Sequence, residues 1–416
     1  MSRLLVTATI VLFSVMLTGT ATEEVTAFTF PRGEQPDRYF VVFETTPGEG
    51  EIQAVQRAGG KVRHSYEIVP AVSAYLTERS LRALERNDLV VHVEPVLEVF
   101  PVSDDGDSDN VYQWGADHIG AAEAHENGYT GEGVDIAVLD TGVDPDHSWL
   151  EIESGVDCTE PGCPDGQEDR HGHGTHVAGT IAASEESPVT GVAPDANLHS
   201  VKVLRAFDTG GFTDDILAGL DWAADNDIQI TNNSYGFDSE PLGPTIQQAY
   251  SETYDSGILH ITSAGNTGEP GGDGDLVMIP ARYDVIVAVA ATEPDDSRRE
   301  SSSTGPCLEL AAPGSSIEST SPDGETRTSS GTSMAAPHVS GVAALVWAEH
   351  PDLSHQDIRT ILVDTARDLG DHDQFGHGLV QAVDAIEYAA NYTTGETPGF
   401  VSPECEGIGD FYASDD

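Results

Sequence analysis

Apolar residues along the first hundred positions switch between two periods. "RYFVVFE" from Arg38 and "AVSAYLT" from Ala71 predict strands. "EIQAVQRAGG" (51–60) and "ERSLRALERN" (78–87) place apolar residues on one helical face, the first stopped by its glycines. "LVVHVEPVLEVF" (89–100) supplies further strand. This β-α-β-β-α-β order predicts a small split ferredoxin-like α+β unit over 38–101. "PVSDDGDSDN" then reads as an exposed, cleavable acidic linker covering 102–110. Beyond it, short apolar runs ("GVDIAVLD", "LHSVKVL", "IQITNNS", "GILHITSAG", "VIVAVAA") alternate with helical patterns ("HVAGTIAAS", "DDILAGLDWAADN", "GPTIQQAYSETYDSG", "MAAPHVSGVAALVWAEHP"). Continuous apolar strands between helices predict an α/β domain over 111–390, a mostly parallel central sheet covered on both faces. Residues 391–416 read as an acidic tail.

Composition adds a location and a medium. Arg3, an apolar run from Leu4 to Leu17 and small residues up to Ala21 fit a secretory signal over 1–21. That run is too short to span a bilayer and no other long apolar stretch exists, so the expectation is a secreted, extracellular protein, taken to be a monomer. The net charge is −54: residues 1–101 hold 13 acidic and 9 basic residues, residues 102–416 hold 59 and 9. A folded domain with that surface repels itself unless salt screens it, which points to a high-salt medium. The same charge argues against nucleic-acid partners. Of the four cysteines, Cys158 and Cys163 bracket the turn-like "TEPG", which suggests a local disulfide. Pairing Cys307 with Cys405 would then tie down the tail. Four cysteines allow three connectivities.

Four stretches carry candidate chemistry. "DRHGHGTHVAGTI" holds His171, His173 and His176, either a zinc cage or one general base with two neighbours. The cage would resemble the H-x-H-x-D-H run of metallo-hydrolases, but Thr175 replaces its aspartate. "DIAVLDTG" ends a buried strand on Asp140, where α/β folds place functional groups. A second "DTG" at Asp208–Gly210 raises an aspartic-peptidase alternative, which the alternating α/β pattern counts against. "SAGN" places Asn266 after a strand, as a turn residue or an oxyanion donor. "GTSMAAPH" sets Ser333 where a glycine-flanked turn opens a long helix, as an N-cap or a nucleophile near free backbone N–H groups.

Taken in order, "VLDTGVD", "HGTHVAGT", "GVAP", "VKVL", "NNSYG", "SAGN" and "GTSMAAPH" resemble the subtilisin-like serine peptidases, the subtilases. Their order Asp…His…Ser is that of subtilisin. The resemblance implies Ser333 as nucleophile, His173 as base, Asp140 as its orienting carboxylate and Asn266 as side-chain oxyanion donor. It implies that Ser234, Tyr235 and Gly236 on one side, and Gly210 and Gly211 on the other, sandwich an extended peptide substrate as an added strand. The strand "LVMIPARYDV" would line the pocket for the residue before the cleaved bond, made shallow by Met278. The 38–101 unit resembles the family's inhibitory propeptide, so the chain would be a zymogen with its own N-terminal unit as intramolecular inhibitor. An inactive, subtilase-like binding protein is the alternative, although all four catalytic positions are filled.

No cofactor is required for such chemistry. Structural calcium is an open question, because Trp149 stands where the family commonly has a ligating Asp and the later loop "SEESPVTG" is one residue shorter. "GGDGDL" (271–276) offers carboxylates elsewhere, as a solvated loop or a different calcium site. Asn391 in "NYT" fits a glycosylation acceptor; Asn232 in "NNS" fits too but lies in the expected cleft.

Overall fold

The computed structural model describes residues 37–102, 114–205, 210–237 and 243–393. The expected signal, nearly all of the linker, Asp208, Cys405 and the tail from residue 394 lie outside them. The chain opens with β1 (Asp37–Phe43), α1 (Glu49–Arg57), β2 (Lys61–Ser65), β3 (Ala71–Leu76), α2 (Glu78–Leu84) and β4 (Val90–Pro95). These four strands form an antiparallel sheet in the order β2-β3-β1-β4. Alternate residues of β1 point to opposite faces. Val41 and Phe43 pack with Val55 and Leu84 of the two helices. Phe40 and Val42 instead join a core that includes Leu217, Leu220 and Ala249 of the following domain. Both faces are covered, so "FVVF" reads as an unbroken apolar run.

The stretch "LVVHVEPVLEVF" is not one strand. After β4 the chain leaves the sheet, and β5 (Glu98–Pro101) pairs far away in sequence.

The larger domain starts with two short helices, α3 (Gly115–His118) and α4 (Ala121–Glu126). It continues through β6 (Asp135–Asp140), β7 (Ile152–Asp157), α5 (His173–Ala182), β8 (Asn197–Lys202), β9 (Gly211–Phe212), α6 (Thr213–Asp225), β10 (Ile230–Asn233) and β11 (Tyr235–Gly236). Then come α7 (Pro244–Asp255), β12 (Leu259–Ser263), β13 (Ile286–Thr292), β14 (Leu310–Pro313), the hairpin β15 (Ile317–Thr320) and β16 (Thr326–Ser329), and α8 (Thr332–Glu349). Seven strands form the central sheet, in the order β14-β13-β12-β10-β6-β8-β7, with every pair parallel. In β6, Ile136 and Val138 face the α5 and α8 side, with Val177 and Val339. Ala137 and Leu139 face the α6 and α7 side, with Leu220 and Ala249. The sheet lies between two helical layers, and its reversal around β6 puts the carboxyl ends of β6 and β10 at a crevice.

"LVMIPARYDV" departs from expectation. It is not a strand; Ile279 makes an isolated pairing with Phe237 at 2.9 and 3.0 Å, and Pro280, with no N–H, ends the ladder. Cys158 is disulfide-bonded to Cys163, as the spacing suggested. Cys307 is not free either, and its expected partner lies outside the described residues. No helix among the described residues is long and apolar enough to cross a membrane.

Three buried histidines are expected to make the fold acid-sensitive. Burial pushes His176 and His260 down to about 3 and His338 down to about 4 from an ordinary 6.5. The unfolded chain therefore binds protons that the native chain refuses once the pH falls below about 6.5. Stability from these groups is complete above that pH and is lost as the pH falls toward their native values. At pH 5.5 each should cost about 1.4 kcal/mol relative to neutral pH, while most surface carboxylates stay ionised. Urea midpoints at pH 7.5 and 5.5 in fixed high salt check this, and equal midpoints would contradict it.

Candidate active site

β6 ends on Asp140, whose side chain is fully buried. The chain re-enters the crevice at α5, whose first residue is His173. Gly142 and Gly174 let these backbones touch: a Cβ on Gly174 would lie 2.1 Å from the Gly142 carbonyl oxygen and 3.1 Å from the Asp140 Cβ. His173 Nδ1 donates to Asp140 Oδ1 at 2.7 Å, with Oδ2 at 2.9 Å. Its other nitrogen, Nε2, is buried without a partner. A carboxylate on Nδ1–H fixes the tautomer that leaves Nε2 able to accept a proton.

Asp169, which the sequence did not single out, holds this loop. It accepts from the backbone N–H groups of His171 (2.9 Å), Gly172 (2.8 Å) and Thr175 (3.0 Å), and from the hydroxyls of Thr175 (2.7 Å) and Thr141 (2.9 Å). Burial pushes its carboxyl upward, but hydrogen bonds led by the Gly172 N–H outweigh that and hold it below the usual range. An acidic residue just before a helix, accepting from the N–H groups of the entering loop and from one orphan donor of the first turn, was the available signal.

The three histidines do not form a metal cage. His176 Nε2 donates to the Ile317 and Arg327 carbonyls at 3.0 and 3.2 Å, tying α5 to the β15–β16 hairpin. His171 packs edge-on against His173 with ring centres 6.1 Å apart, and burial followed by the neighbouring His173 lowers its pKa. With His173 Nδ1 on Asp140 and His176 Nε2 on carbonyls, the imidazoles do not converge on a common point, which corrects the zinc alternative.

Ser333 is the second residue of α8, so its N–H is one of the unpaired donors of a helix start. Its hydroxyl donates to the Ser234 carbonyl at 3.0 Å, and the Ser234 hydroxyl donates to the Ser333 carbonyl at 3.0 Å. Asn266 is held beside it: Oδ1 accepts from the Thr332 N–H at 3.0 Å and the Thr332 hydroxyl at 3.1 Å. The Asn266 Nδ2 is left buried with no partner. A fixed amide with a spare donor next to a helix N-terminus suits a developing oxyanion.

The two expected edges are occupied by the chain itself. β5 lies between β11 and β9, pairing Pro101 with Tyr235, Phe100 with Gly236, Val99 with Gly211 and Glu98 with Phe212. Both pairings are antiparallel. Val102 N–H extends the ladder to the Ser234 carbonyl at 3.3 Å. Gly210 has φ +51°, and a Cβ there would sit 2.0 Å from the Val99 carbonyl oxygen, so the edge tolerates only glycine. A cavity of about 440 Å³ lies beside Val102, lined by Gly236, Phe237, Asn266, Thr267 and Met278 among others.

Trp149 cannot supply the carboxylate that the resemblance places there as a calcium ligand. Trp149 offers an indole stacked edge-on with His147, and its carbonyl accepts from the Ser184 N–H at 2.9 Å. The following loop closes on itself through Ser187 and Val189. Among the described residues, the side chains that gather closely enough to ligate a cation are His64, Asp214 and Asp215. Arginines already fill that group, as set out below.

Residues 131–378 match the model of the subtilase family. M-protease of Shouchella clausii (strain KSM-K16) is 39% identical over 320 residues, covering 77% of this chain and 80% of that protein. Subtilisin E of Bacillus subtilis (strain 168) is 35% identical over 358 residues, covering 84% and 90%. The crystal structure of fervidolysin from Fervidobacterium pennivorans, described as a keratinolytic enzyme related to subtilisin, superposes with a TM-score of 0.72 at 25% identity. That superposition covers 86% of this chain and 62% of fervidolysin. The three-layer fold and these matches agree: the chain belongs to the subtilase family of serine proteases, hydrolases that need no cofactor for catalysis.

Proposed function

We propose that the protein is a secreted, salt-adapted serine endopeptidase, made as a zymogen that cuts itself. Ser333 is the nucleophile and His173 the base. Asp140 orients His173, and the oxyanion meets the Ser333 N–H and Asn266 Nδ2. The observation that carries this is the position of residues 98–102. They run as an added strand between two edges of the domain and end at Ser234, whose carbonyl also receives the Ser333 hydroxyl.

In the first step the Ser333 hydroxyl turns from the Ser234 carbonyl to the free Nε2 of His173. A serine hydroxyl is a weak nucleophile until a base takes its proton. Its oxygen attacks the substrate carbonyl, His173 takes the proton, and the carbonyl oxygen becomes anionic beside Asn266. His173 then returns the proton to the leaving amine. Water repeats the sequence on the acyl-enzyme.

The 38–101 unit acts as inhibitory propeptide, with its last strand lying where a substrate would. Val102 then precedes the first bond cut, Val102–Ser103. Sequencing the self-processed protein should give an N-terminus at Ser103. A mature N-terminus within the 38–101 unit would refute the assignment.

Met278 covers Gly236 and Gly265 beside the Val102 cavity. Peptides should therefore be cut faster after Val, Ala or Leu than after Phe, and Met278→Gly should reverse that order by freeing volume. Faster cleavage after Phe by the unaltered enzyme would remove this assignment.

The apolar run Leu4–Leu17 supports export, and the net charge of −54 supports a saline medium.

A further inference from the structure

Asp214 and Asp215 lie in the first turn of α6, and both side chains are completely buried. Three guanidinium groups compensate them. Arg38 Nη1 lies 2.9 Å from Asp214 and 3.2 Å from Asp215; Arg63 reaches them at 3.4 and 3.0 Å; Arg205 reaches Asp215 at 2.8 Å. The Arg38 guanidinium also stacks 3.9 Å from the centre of the Phe212 ring. His64 Nε2 sits 3.7 Å from Asp215.

Ownership of these groups is divided. Arg38, Arg63 and His64 belong to the 38–101 unit, whereas Arg205, Phe212 and both carboxylates belong to the peptidase domain. Removing the N-terminal unit leaves two carboxylates, formerly buried, with Arg205 alone, which stays 5.0 Å from the Phe212 ring centre, and takes away the closer Arg38 guanidinium from that ring. Two carboxylates sharing the one remaining cation, Arg205 on Asp215, attract a replacement for the lost guanidinium groups, and a planar guanidinium answers both carboxylate and ring better than an ammonium does.

The site lies on the track of the bound strand. Leu97, one residue before β5, exchanges hydrogen bonds with Thr213, the residue preceding Asp214, at 3.0 and 3.1 Å. The Val96 N–H bonds the Arg38 carbonyl at 3.0 Å, which is how Arg38 is delivered there. Counting back from Val102, Leu97 is the sixth residue. We infer that the mature enzyme carries an acceptor for an arginine side chain of its polypeptide substrate, six or seven residues upstream of the cleaved bond. It is built from Asp214, Asp215 and Phe212. The inference rests on the cleft and bond proposed above, and it extends recognition beyond the paired strand.

The test uses mature enzyme, quantified by active-site titration, and peptides based on residues 95–106 with Ala, Lys or Arg in place of Leu97. The Arg peptide should have a kcat/KM at least about tenfold above the Ala peptide, mostly through KM, with Lys between them. The Arg-to-Ala ratio should persist in high salt, because a partly buried pair is poorly screened. It should fall to near one in Asp214→Asn/Asp215→Asn. If the double variant does not mature, Asp214→Asn alone serves, since Asp215 keeps Arg205. An Arg-to-Ala ratio below two, or one unchanged in these variants, overturns the acceptor while leaving the cleft intact. An Ala peptide left uncut after Val102 overturns both.

Discussion

Ser333→Ala is expected to stall the chain as an uncleaved precursor and to lower peptide hydrolysis by about 10⁶-fold, the size seen when subtilisin loses its nucleophile. The loss follows from position. Among the described residues, Ser333 is the one that combines a hydroxyl, a helix-start N–H, contact with the edge at Ser234 and a neighbour, Asn266, with a spare buried donor. The side chain removed is one hydroxyl, so the fold should survive. Gel mobility and intact mass of the purified variant, with no other protease present, read the outcome. Normal maturation would show that the cut is made by another enzyme, and retained hydrolysis would remove Ser333 from the chemistry.

The second largest effect is expected from Asp140→Asn. The amide has the shape of the carboxylate but can present an N–H to His173 Nδ1, where the carboxylate only accepts. Nδ1 would then lose its proton to Nε2, and the base would face the cleft already protonated. A fall in kcat of about 10⁴-fold at neutral pH is expected, the magnitude known for the equivalent tautomer error in another serine peptidase. Because the hydroxyl, edges and oxyanion donors are untouched, KM should change little. A loss confined to KM would mean that Asp140 shapes the cleft rather than orienting the base.

Much of this site was legible because its residues sit where strong local patterns stop. Asp140 ends the apolar run "VDIAVL", Asn266 follows "ILHITSAG", and Ser333 opens a helix that is apolar for most of its length. The β-α-β-β-α-β unit and the parallel sheet were legible for the same reason, since continuous apolar strands between amphipathic helices admit few architectures. What stayed hidden depends on partners distant in sequence. "LVVHVEPVLEVF" has one apolar rhythm but two destinations, because β5 finds its partners at Gly211 and Tyr235, more than a hundred residues onward. Nothing local joins Arg38 and Arg63 to Asp214 and Asp215. "LVMIPARYDV" has strand composition, but Pro280 cannot donate and the ladder stops.

Modification by a serine-directed organofluoride tests the central claim most directly. The mature enzyme is titrated with the reagent while proteolysis is followed, and the adduct is located by peptide mass. The expected result is one adduct per chain, on the peptide containing Ser333, with activity lost in proportion. Proteolysis that persists with Ser333 fully modified, or an adduct on a different residue that accounts for the inhibition, would contradict it.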